Sequence, residues 1–329
     1  MIKQRQPFLL KPAAKDYLWG GSRLNDDFAK DIPLSPLAET WECSTHPDGE
    51  SVIAATGQTL LEALAEHPDW LGTHPLSLTG GKPELPILIK LIDAKKNLSV
   101  QVHPDDEYAL RVENSLGKTE MWYVLDAGKN SKLIYGFNRE VNAEVVKRSL
   151  QEGTIEKILN HVPIRKDDLF FIEAGTVHAI GAGALIAEIQ ESSNITYRLY
   201  DYNRKDKNGN TRPLHIDKAL EVADLKSSLE PRQPMRVLKY RNGYASELLT
   251  RCKYFQVERV LLNTEIQRRL VEFQTDANSF HALLCVDGCG SMSGDGFMLN
   301  FFKGDCIFVP AESMVFRLHG RAQLLNVSC

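Results

Sequence analysis

Four side chains in the sequence have the chemistry of metal ligands and lie next to predicted strands. Gln101 and His103 are two residues apart in an alternating stretch, so on a β-strand both point to the same face. Glu120 directly precedes an aromatic and β-branched run that predicts the next strand, and His178 lies in a later apolar stretch. Two imidazoles, a carboxylate and a carboxamide are acceptable ligands for zinc or a neighbouring divalent ion. The four residues predict one metal site if their strands converge.

Each histidine also has an ordinary structural interpretation. His103 could cap a turn, since a proline and two aspartates follow it, and His178 could be a hydrogen-bonded core histidine. The joint pattern favours the metal site, because both histidine motifs are typical of the mouth of a β-barrel. With a neutral glutamine in place of a second carboxylate, the site would carry a charge of about +1, and the ion would stay a strong Lewis acid.

Three cationic side chains could accompany the metal. Lys118 is two residues before the predicted carboxylate ligand, Lys90 interrupts an apolar strand, and Arg198 lies on a strand rich in aromatic residues. A lysine in a buried strand needs a partner, a cavity or a substrate, and an arginine there favours a carboxylate or a phosphate. The alternatives are a solvated loop position for Lys118 and a salt bridge from Arg198 to Asp201 or Glu188.

Aromatic and acidic residues supply candidates for binding a substrate. Trp19, Glu39 and Trp41 could wall a sugar site, because aromatic faces suit the C–H faces of a sugar ring, although both tryptophans could equally pack in the core. Asp201 is a further substrate-binding candidate. The sequence has no phosphate-binding GxxxxGK loop, no dinucleotide fingerprint and no pattern typical of a serine or cysteine nucleophile.

The composition is that of an ordinary globular protein, and it limits the partners. The 329 residues are 43% hydrophobic and 25% charged, and the formal net charge of −4 argues against a nucleic-acid or anionic-membrane partner. An anionic substrate would have to meet a local cluster of lysine and arginine. No segment resembles a signal peptide or a membrane span, and the six cysteines are scattered without a CxxC pair. We expect reduced core cysteines in a cytoplasmic protein.

The periodicity predicts a mainly β chain with a few added helices, at about 59–72, 142–161 and 215–225. The first has a threonine cap with glutamate three residues later, and the second is one or two helices broken at Gly153. The linker-like composition of residues 226–235 places a domain boundary there. We predict a metal-binding catalytic domain at 1–230 and a second domain at 231–329.

An internal repeat suggests how the two domains are related. Residues 166–174 resemble 303–311, and 122–128 resemble 283–288, so that a turn, an apolar strand and a second turn recur. Two jelly-roll barrels in tandem would account for this repeat. The second copy has Val315 at the position of the later histidine and lacks a Gln-x-His pair, which predicts a barrel without metal.

The chain resembles type I phosphomannose isomerase, in its short bacterial form, over nearly its whole length. The resemblance is specific because it rests on six separate motifs rather than on one. The motifs are YLWGG at 17–21, AETWECSTHPDG at 38–49, LPILIKLIDAKKNLSVQVHPDDEYA at 85–109, GKTEMWYVLDA at 117–127, AGTVHAIGAG at 174–183 and ESSNITYRLYDYNR at 191–204.

The resemblance implies two cupin barrels, the first with zinc, and interconversion of mannose 6-phosphate and fructose 6-phosphate through a cis-enediolate. It places one zinc ion per chain on the four ligands chosen above, and the essential arginine on Arg198. Lys118 and Lys90 would line the substrate site. We nominate Lys118 as the base, because nearby positive charge would favour its neutral form; a metal-bound hydroxide is the alternative. Arg198 would hold the phosphate or the enediolate, and Lys90 is a second candidate for the phosphate.

Three departures from the family pattern and several other functions stay open. Asn194 stands where many relatives have aspartate, Glu173 replaces the usual proline, and the helical insertion of longer forms is reduced to 142–161.

The alternative functions are an iron-dependent cupin oxygenase, a non-catalytic sugar-binding or regulatory cupin, and an isomerase of another aldose or aldose phosphate. The expected partner is a small sugar phosphate, and the chain is expected to be a monomer or a small homo-oligomer.

Overall fold

A computed structural model describes residues 5–205, 208–228, 236–266 and 269–329, and these ranges are mainly β. No helix within them is long and apolar enough to cross a membrane. The α-helices are α1 (Arg23–Asp26), α2 (Leu60–Glu66), α3 (Thr73–Leu78), α4 (Asp106–Glu113), α5 (Ala143–Gln151) and α6 (Ile216–Val222). The strands are β1 (Phe8–Lys11), β2 (Ala13–Lys15), β3 (Glu39–Cys43), β4 (Val52–Ile53), β5 (Ile87–Ala94), β6 (Val100–Val102), β7 (Glu120–Ala127), β8 (Lys132–Phe137), β9 (Leu159–Pro163), β10 (Leu169–Ile172), β11 (His178–Ile180), β12 (Ala184–Glu191), β13 (Tyr197–Tyr200), β14 (Lys239–Arg241), β15 (Tyr244–Arg251), β16 (Gln256–Asn263), β17 (Val271–Phe273), β18 (His281–Gly294), β19 (Phe297–Phe302), β20 (Cys306–Val309) and β21 (Phe316–Ser328).

These strands form three antiparallel sheets. The six-stranded sheet has the order β10-β7-β12-β5-β3-β2, and the five-stranded sheet has the order β13-β6-β11-β8-β9. The ten-stranded sheet follows β14-β15-β16-β21-β18-β20-β1-β4, with β17 beside β21 and β19 beside β18. The mainly β prediction is confirmed. None of the sheets closes into a barrel within the described ranges, so the tandem jelly rolls stay a prediction.

The five-stranded and six-stranded sheets face each other across a hydrophobic core. Ile92 and Trp122 from the six-stranded sheet pack there with Leu133 and Ile180 from the five-stranded sheet. Helices α5 and α6 cover the outer face of the five-stranded sheet through a second cluster that includes Val146 and Ala219. The cavity described below lies between these two sheets.

The ten-stranded sheet covers the back of the six-stranded sheet. Ile89 and Met121 on that back face share one large cluster with Val257 and Phe308 of the ten-stranded sheet. The six-stranded sheet is therefore buried on both faces, which explains why all eight residues of β5 are buried and why its sequence is almost continuously apolar.

The internal repeat is confirmed by strand register. In the first copy β10 pairs with β7 and places Phe170 opposite Trp122, and in the second copy β20 pairs with β18 and places Ile307 opposite Leu283. The sequence similarity equates these same positions. The two copies of the repeat therefore form equivalent antiparallel strand pairs, β7 with β10 and β18 with β20.

The three predicted helices are confirmed, except for the C-terminal part of the segment 142–161. Helix α2 has the predicted capping box between Thr59 and Glu62, and α6 falls within 215–225. Helix α5 ends before Gly153, whose φ of +68° suits glycine, and a 3₁₀ turn at Ile155–Lys157 follows. Residues 159–161 were predicted as helix but belong to β9, because this segment pairs with β8.

The other sequence predictions have mixed outcomes. Helix α4 was not predicted, although Asp105 caps it by accepting from the Tyr108 backbone N–H. All six cysteines are free, but Cys289 is exposed, so the prediction of a core position is wrong there.

Residues 229–235 of the predicted linker lie outside the described ranges. The division at residue 230 stays a prediction, and β1 and β4 lie in the sheet formed mainly by the C-terminal strands.

We expect Phe308→Ala to destabilise the fold by about 3–5 kcal/mol, because it leaves a cavity between the sheets. Phe308 is fully buried and its ring lies 5.3 Å from that of Phe8 and 5.1 Å from that of Phe280. Urea unfolding would measure the loss. Phe302→Ala is the matched control, since Phe302 is 61% exposed and should cost less than about 1 kcal/mol. Equal losses in the two variants would contradict the packing described here.

Candidate active site

Strand pairing brings the predicted metal ligands together from two facing sheets. Strands β6 and β11 pair with Gln101 directly opposite His178. His103 follows the end of β6, and Glu120 is the first residue of β7 on the other sheet. Both imidazoles and the carboxylate are at most 1% exposed.

The donor atoms lie close enough to share one ion. His178 Nε2 is 3.3 Å from Glu120 Oε1, and His103 Nε2 is 3.6 Å from Glu120 Oε2. The three groups offer ligand atoms within 4.8 Å of one another. The carboxamide of Gln101 lies 3.4 Å from His178 Nε2, so rotation about its last bond brings either amide atom to the site. The structure thus brings all four predicted ligands together.

Backbone carbonyls fix both imidazoles in the form that a metal requires. His103 Nδ1 lies 2.7 Å from the Ile195 carbonyl oxygen, and His178 Nδ1 lies 2.8 Å from the Thr176 carbonyl oxygen. A carbonyl oxygen only accepts, so Nδ1 carries the proton and the Nε2 lone pair faces the site. Burial lowers the pKa of His178 to about 4, and burial together with the Lys118 charge lowers the pKa of His103. Both rings are therefore neutral at pH 7, as metal ligands must be.

The Glu120 carboxylate completes the argument that the donor set fits a divalent cation. It is fully buried, and neither oxygen accepts a hydrogen bond from the described residues. Lys118 Nζ lies 2.9 Å from Oε2, but without hydrogen-bond geometry. Burial, followed by repulsion from Glu188, raises the pKa of Glu120 to about 7. An anion with open lone pairs beside two imidazole lone pairs is complementary to a cation.

The two predicted lysines lie beside this donor set and are paired with carboxylates. Lys118 Nζ lies 3.2 Å from His103 Nε2, in addition to its contact with the carboxylate ligand. Lys90 Nζ lies 3.4 Å from Glu188 Oε1 and 3.9 Å from Glu39 Oε2. Burial lowers the pKa of Lys90, but the two carboxylates outweigh it and the net shift is upward. Lys90 is therefore a charged residue whose ammonium is already engaged.

A polar cavity of about 290 Å³ opens next to the four donors, close to the lower end of ligand-pocket sizes. Six of the predicted residues line it, together with nine residues that were not predicted as site residues. The predicted lining residues are Trp19, Glu39, Lys90, Gln101, Lys118 and Arg198, and the others include Tyr17, Glu188, Asn194 and Arg212.

Two predictions for substrate contact need correction. Trp41 is fully buried and does not line the cavity; it packs 4.9 Å from Lys90 Nζ instead. Asp201 is also outside the cavity wall, and its carboxylate accepts hydrogen bonds from Arg204 and Arg212. Its charge is used to hold arginines rather than to contact a sugar.

Arg198 faces the cavity without a carboxylate partner. It makes no salt bridge to Asp201 or Glu188 in the part of the chain that the structure describes, so the alternative interpretation is wrong. Its Nη1 donates to the Pro213 carbonyl oxygen at 2.9 Å, and its buried Nε has no partner among the described residues. Donor capacity is therefore available for an anion.

Glu188 is a site residue that the sequence reasoning considered only as a salt-bridge partner. It lies opposite Lys90 across the β12–β5 pair and accepts from the Trp122 indole N–H at 2.7 Å. The available signal was an acid in β12 and a base in β5, each flanked by apolar residues within its strand. The missed Arg212 has no such signal, because it lies in a polar segment outside the strands.

The departures from the family pattern leave the local structure intact. Asn194 lines the cavity and donates from Nδ2 to Asp48 Oδ2 at 2.8 Å, so a carboxylate is still present at the rim. The turn that begins at Glu173 closes through a hydrogen bond from the Thr176 N–H to the Glu173 carbonyl.

Fold and site together define a class of protein: antiparallel sheets that hold a buried site suited to a divalent ion beside a polar cavity for a small molecule. The family model for the phosphomannose isomerase type I catalytic domain matches residues 8–133, and that for the mannose-6-phosphate isomerase cupin domain matches residues 245–329. Mannose-6-phosphate isomerase ManA of Bacillus subtilis is 35% identical over 324 residues, covering 97% of this chain and 98% of that protein. The chain belongs to the type I phosphomannose isomerase family.

Solved structures agree with this assignment. The crystal structure of mannose 6-phosphate isomerase from Bacillus subtilis is 32% identical, has a TM-score of 0.86, and the match covers 98% of this chain and 99% of that one. A structure described as zinc-bound mannose 6-phosphate isomerase shares the fold at 18% identity, with a TM-score of 0.74 and 98% of each chain covered.

The buried carboxyl group of Glu191, next to the site, generates a pH prediction. Glu191 Oε1 accepts from the backbone N–H of Thr119, the residue between Lys118 and Glu120, at 2.6 Å. Burial and the neighbouring Asp106 raise the pKa of Glu191 from 4.5 to about 8. The folded chain therefore binds more protons than the unfolded chain between these values. The contribution of Glu191 to folding stability is therefore fully present below pH 4.5 and is lost as the pH rises through about 8.

We expect Glu191→Gln to flatten the decline in stability between pH 5 and pH 9, because glutamine keeps an acceptor for Thr119 and has no charge to lose. Urea midpoints at pH 5, 7 and 9 measure this for wild type and variant. Glu140→Gln, at an exposed position, should follow the wild-type profile. Parallel profiles for wild type and Glu191→Gln would show that this carboxyl group does not set the decline.

Proposed function

We propose that this chain interconverts mannose 6-phosphate and fructose 6-phosphate, with one zinc ion held by Gln101, His103, Glu120 and His178. The observation that carries the proposal is the convergence of these four donors beside a cavity that also contains Lys118. Membership of the type I phosphomannose isomerase family supports the choice of substrate. An isomerase that prefers another aldose phosphate is the nearest alternative.

The reaction moves hydrogen within the sugar and changes no other bond connectivity. The C2 proton of the aldose transfers to C1, and a second proton moves from O2 to O1, through a cis-enediolate. The obstacle is the weak acidity of a C–H bond next to a carbonyl group. A divalent ion at the four donors would supply a Lewis acid for the sugar oxygens, which is worth several kcal/mol.

Lys118 is the residue best placed to carry the proton. It lines the cavity, and its Nζ lies 2.9 Å from Glu120 Oε2 and 3.2 Å from His103 Nε2, next to where the sugar oxygens must approach. A neutral amine would accept the proton from C2, and the resulting ammonium would return it to C1. Such a base contributes roughly 10²–10⁴-fold to the rate. Arg198 supplies positive charge either for the phosphate group or for the anionic enediolate.

Two further inferences concern the arrangement of the domains and the location of the protein in the cell. We infer two jelly rolls in tandem, the second without metal, since the position equivalent to the second histidine ligand is Val315, which is 49% exposed. We infer a cytoplasmic location because all six cysteines are free, as is usual in a reducing compartment.

The central test is conversion of mannose 6-phosphate in a coupled assay. We expect turnover by the zinc-loaded protein, loss of at least 90% of it after chelation as an order-of-magnitude expectation, and recovery when zinc is restored. Metal content before and after chelation is measured by atomic absorption. Fully loaded protein that binds the sugar phosphate but does not convert it would instead indicate a non-catalytic binding protein.

Two variants separate proton transfer from metal binding. Lys118→Ala should lower kcat by roughly 10²–10⁴-fold and keep its metal, because an ammonium is not a ligand. His178→Ala should lose both metal and turnover, since it removes one of four donors. Metal content and kcat are measured on the same samples. Near-normal kcat in Lys118→Ala would remove the lysine as base, and full metal content in His178→Ala would remove the histidine from the ligand set.

A further inference from the structure

The segment between β13 and α6 places a second arginine at the cavity. Arg212 lines the cavity although it lies outside the strands. The buried carboxylate of Asp201 holds it by two parallel hydrogen bonds, from Nε to Oδ2 at 2.9 Å and from Nη2 to Oδ1 at 2.7 Å. A bidentate pairing of this kind fixes the plane of the guanidinium group. Arg212 is therefore an oriented side chain rather than a freely moving surface residue.

This pairing leaves part of the guanidinium group available. The two bonds use Nε and Nη2, and the described residues offer no hydrogen-bond acceptor to Nη1. The side chain of Arg212 is 32% exposed, so solvent or a ligand can reach it. Arg198, on the same cavity, likewise keeps a buried Nε without a partner among the described residues.

The charges around Asp201 do not balance. Arg204 Nη2 also donates to Asp201 Oδ1 at 3.0 Å, and Arg198 is close enough that Arg212 and Arg204 both lower its pKa, after burial as the largest cause. Arg204 and Arg212 thus share one carboxylate, and Arg198 has no carboxylate partner among the described residues, so positive charge is in excess at these side chains. A phosphate monoester carries about −1.5 to −2 at pH 7, so it would neutralise this excess.

The other cations of the cavity do not provide a comparable excess. Lys90 is engaged by Glu188 and Glu39, and Lys118 contacts Glu120 and lies 3.9 Å from Glu188. Both lysines therefore have carboxylate neighbours at the end of the cavity that carries the predicted metal ligands. An anionic substituent on a substrate is best accommodated by the arginines.

We propose that Arg212, held by Asp201, binds the phosphate group of the substrate together with Arg198. This inference rests on the proposed function, since it assumes a sugar phosphate in the cavity. It makes Arg212 a determinant of specificity: the residue favours a phosphorylated sugar over the free sugar and takes no part in proton transfer.

The test uses Arg212→Gln, which removes the charge but keeps a donor for Asp201, so that the carboxylate is not left unpaired. Isothermal titration of the zinc-loaded protein with sorbitol 6-phosphate, which has no carbonyl group to react, measures binding without turnover. We expect Kd to rise about 10- to 100-fold, as for a lost hydrogen bond to a charged group. Binding of sorbitol itself should change less than about threefold.

Kinetics supply a second and independent measurement. The KM for mannose 6-phosphate should rise about 10- to 100-fold while kcat stays within about threefold, because the lost contact is remote from the reacting carbons. Arg165→Gln is the matched control, since Arg165 is 89% exposed and outside the cavity, and it should behave as wild type. Thermal unfolding of each variant identifies any loss through misfolding.

The outcomes for this inference and for the proposed function differ. A wild-type protein that does not convert mannose 6-phosphate counts against the proposed function. An active wild type with unchanged Kd and KM in Arg212→Gln would overturn the assignment of Arg212. A folded variant in which kcat falls and Kd for sorbitol 6-phosphate is unchanged would also overturn it, because the residue would then act at the reacting end.

Discussion

The site depends on one electrostatic constraint, the burial of the Glu120 carboxylate between two sheets. Moving an ion of this kind out of water costs several kcal/mol unless another charge compensates it. The histidine rings cannot do so, because their protonated nitrogens donate to backbone carbonyls and their lone pairs face the carboxylate. Lys118 supplies one compensating charge at 2.9 Å from Glu120 Oε2, but neither carboxylate oxygen accepts a hydrogen bond from the described residues. The carboxylate and the two imidazole lone pairs together are complementary to a divalent ion.

The constraint can be met only if the donors are held rigidly, and the layered architecture does this. Strand β7, which begins at Glu120, is buried on both faces because the ten-stranded sheet covers its back. Three residues further on, the Tyr123 hydroxyl accepts hydrogen bonds from Arg259 Nη1 and Gln323 Nε2, both at 3.0 Å. The C-terminal strands therefore anchor the strand that begins at Glu120. This gives the second half of the chain a physical role in positioning the candidate site.

The sequence was informative where chemistry and local pattern coincide. The Gln101–His103 spacing, the position of Glu120 before a strand and the capping box of α2 are properties of a few neighbouring residues, and the structure brings the ligands together as expected. The repeat register could also be inferred, because turn and strand recur together. These features need no knowledge of distant contacts.

The features that were missed depend on pairing between distant segments. Residues 159–161 continue a predicted helical segment, but pairing with strand β8 makes them part of a strand. Asp201 could be seen as an acid near an arginine, yet only the fold shows that it holds Arg212 and Arg204 rather than Arg198. Arg212 itself lies in a polar segment whose composition is that of any surface loop. Long-range geometry, rather than residue type, places these charges.

The rim of the cavity shows how contacts between distant segments hold an acidic group in place. Asn194 lines the cavity, and a carboxylate oxygen of Asp48 lies 2.8 Å from its amide nitrogen. Two carboxylates at that separation would repel each other, whereas the amide donates a hydrogen bond and keeps its own oxygen free to accept. Lys15 donates to the backbone carbonyl of Asp48, which fixes the segment that supplies the acid. The acidic group of Asp48 at the rim is thus held by contacts from two distant segments of the chain.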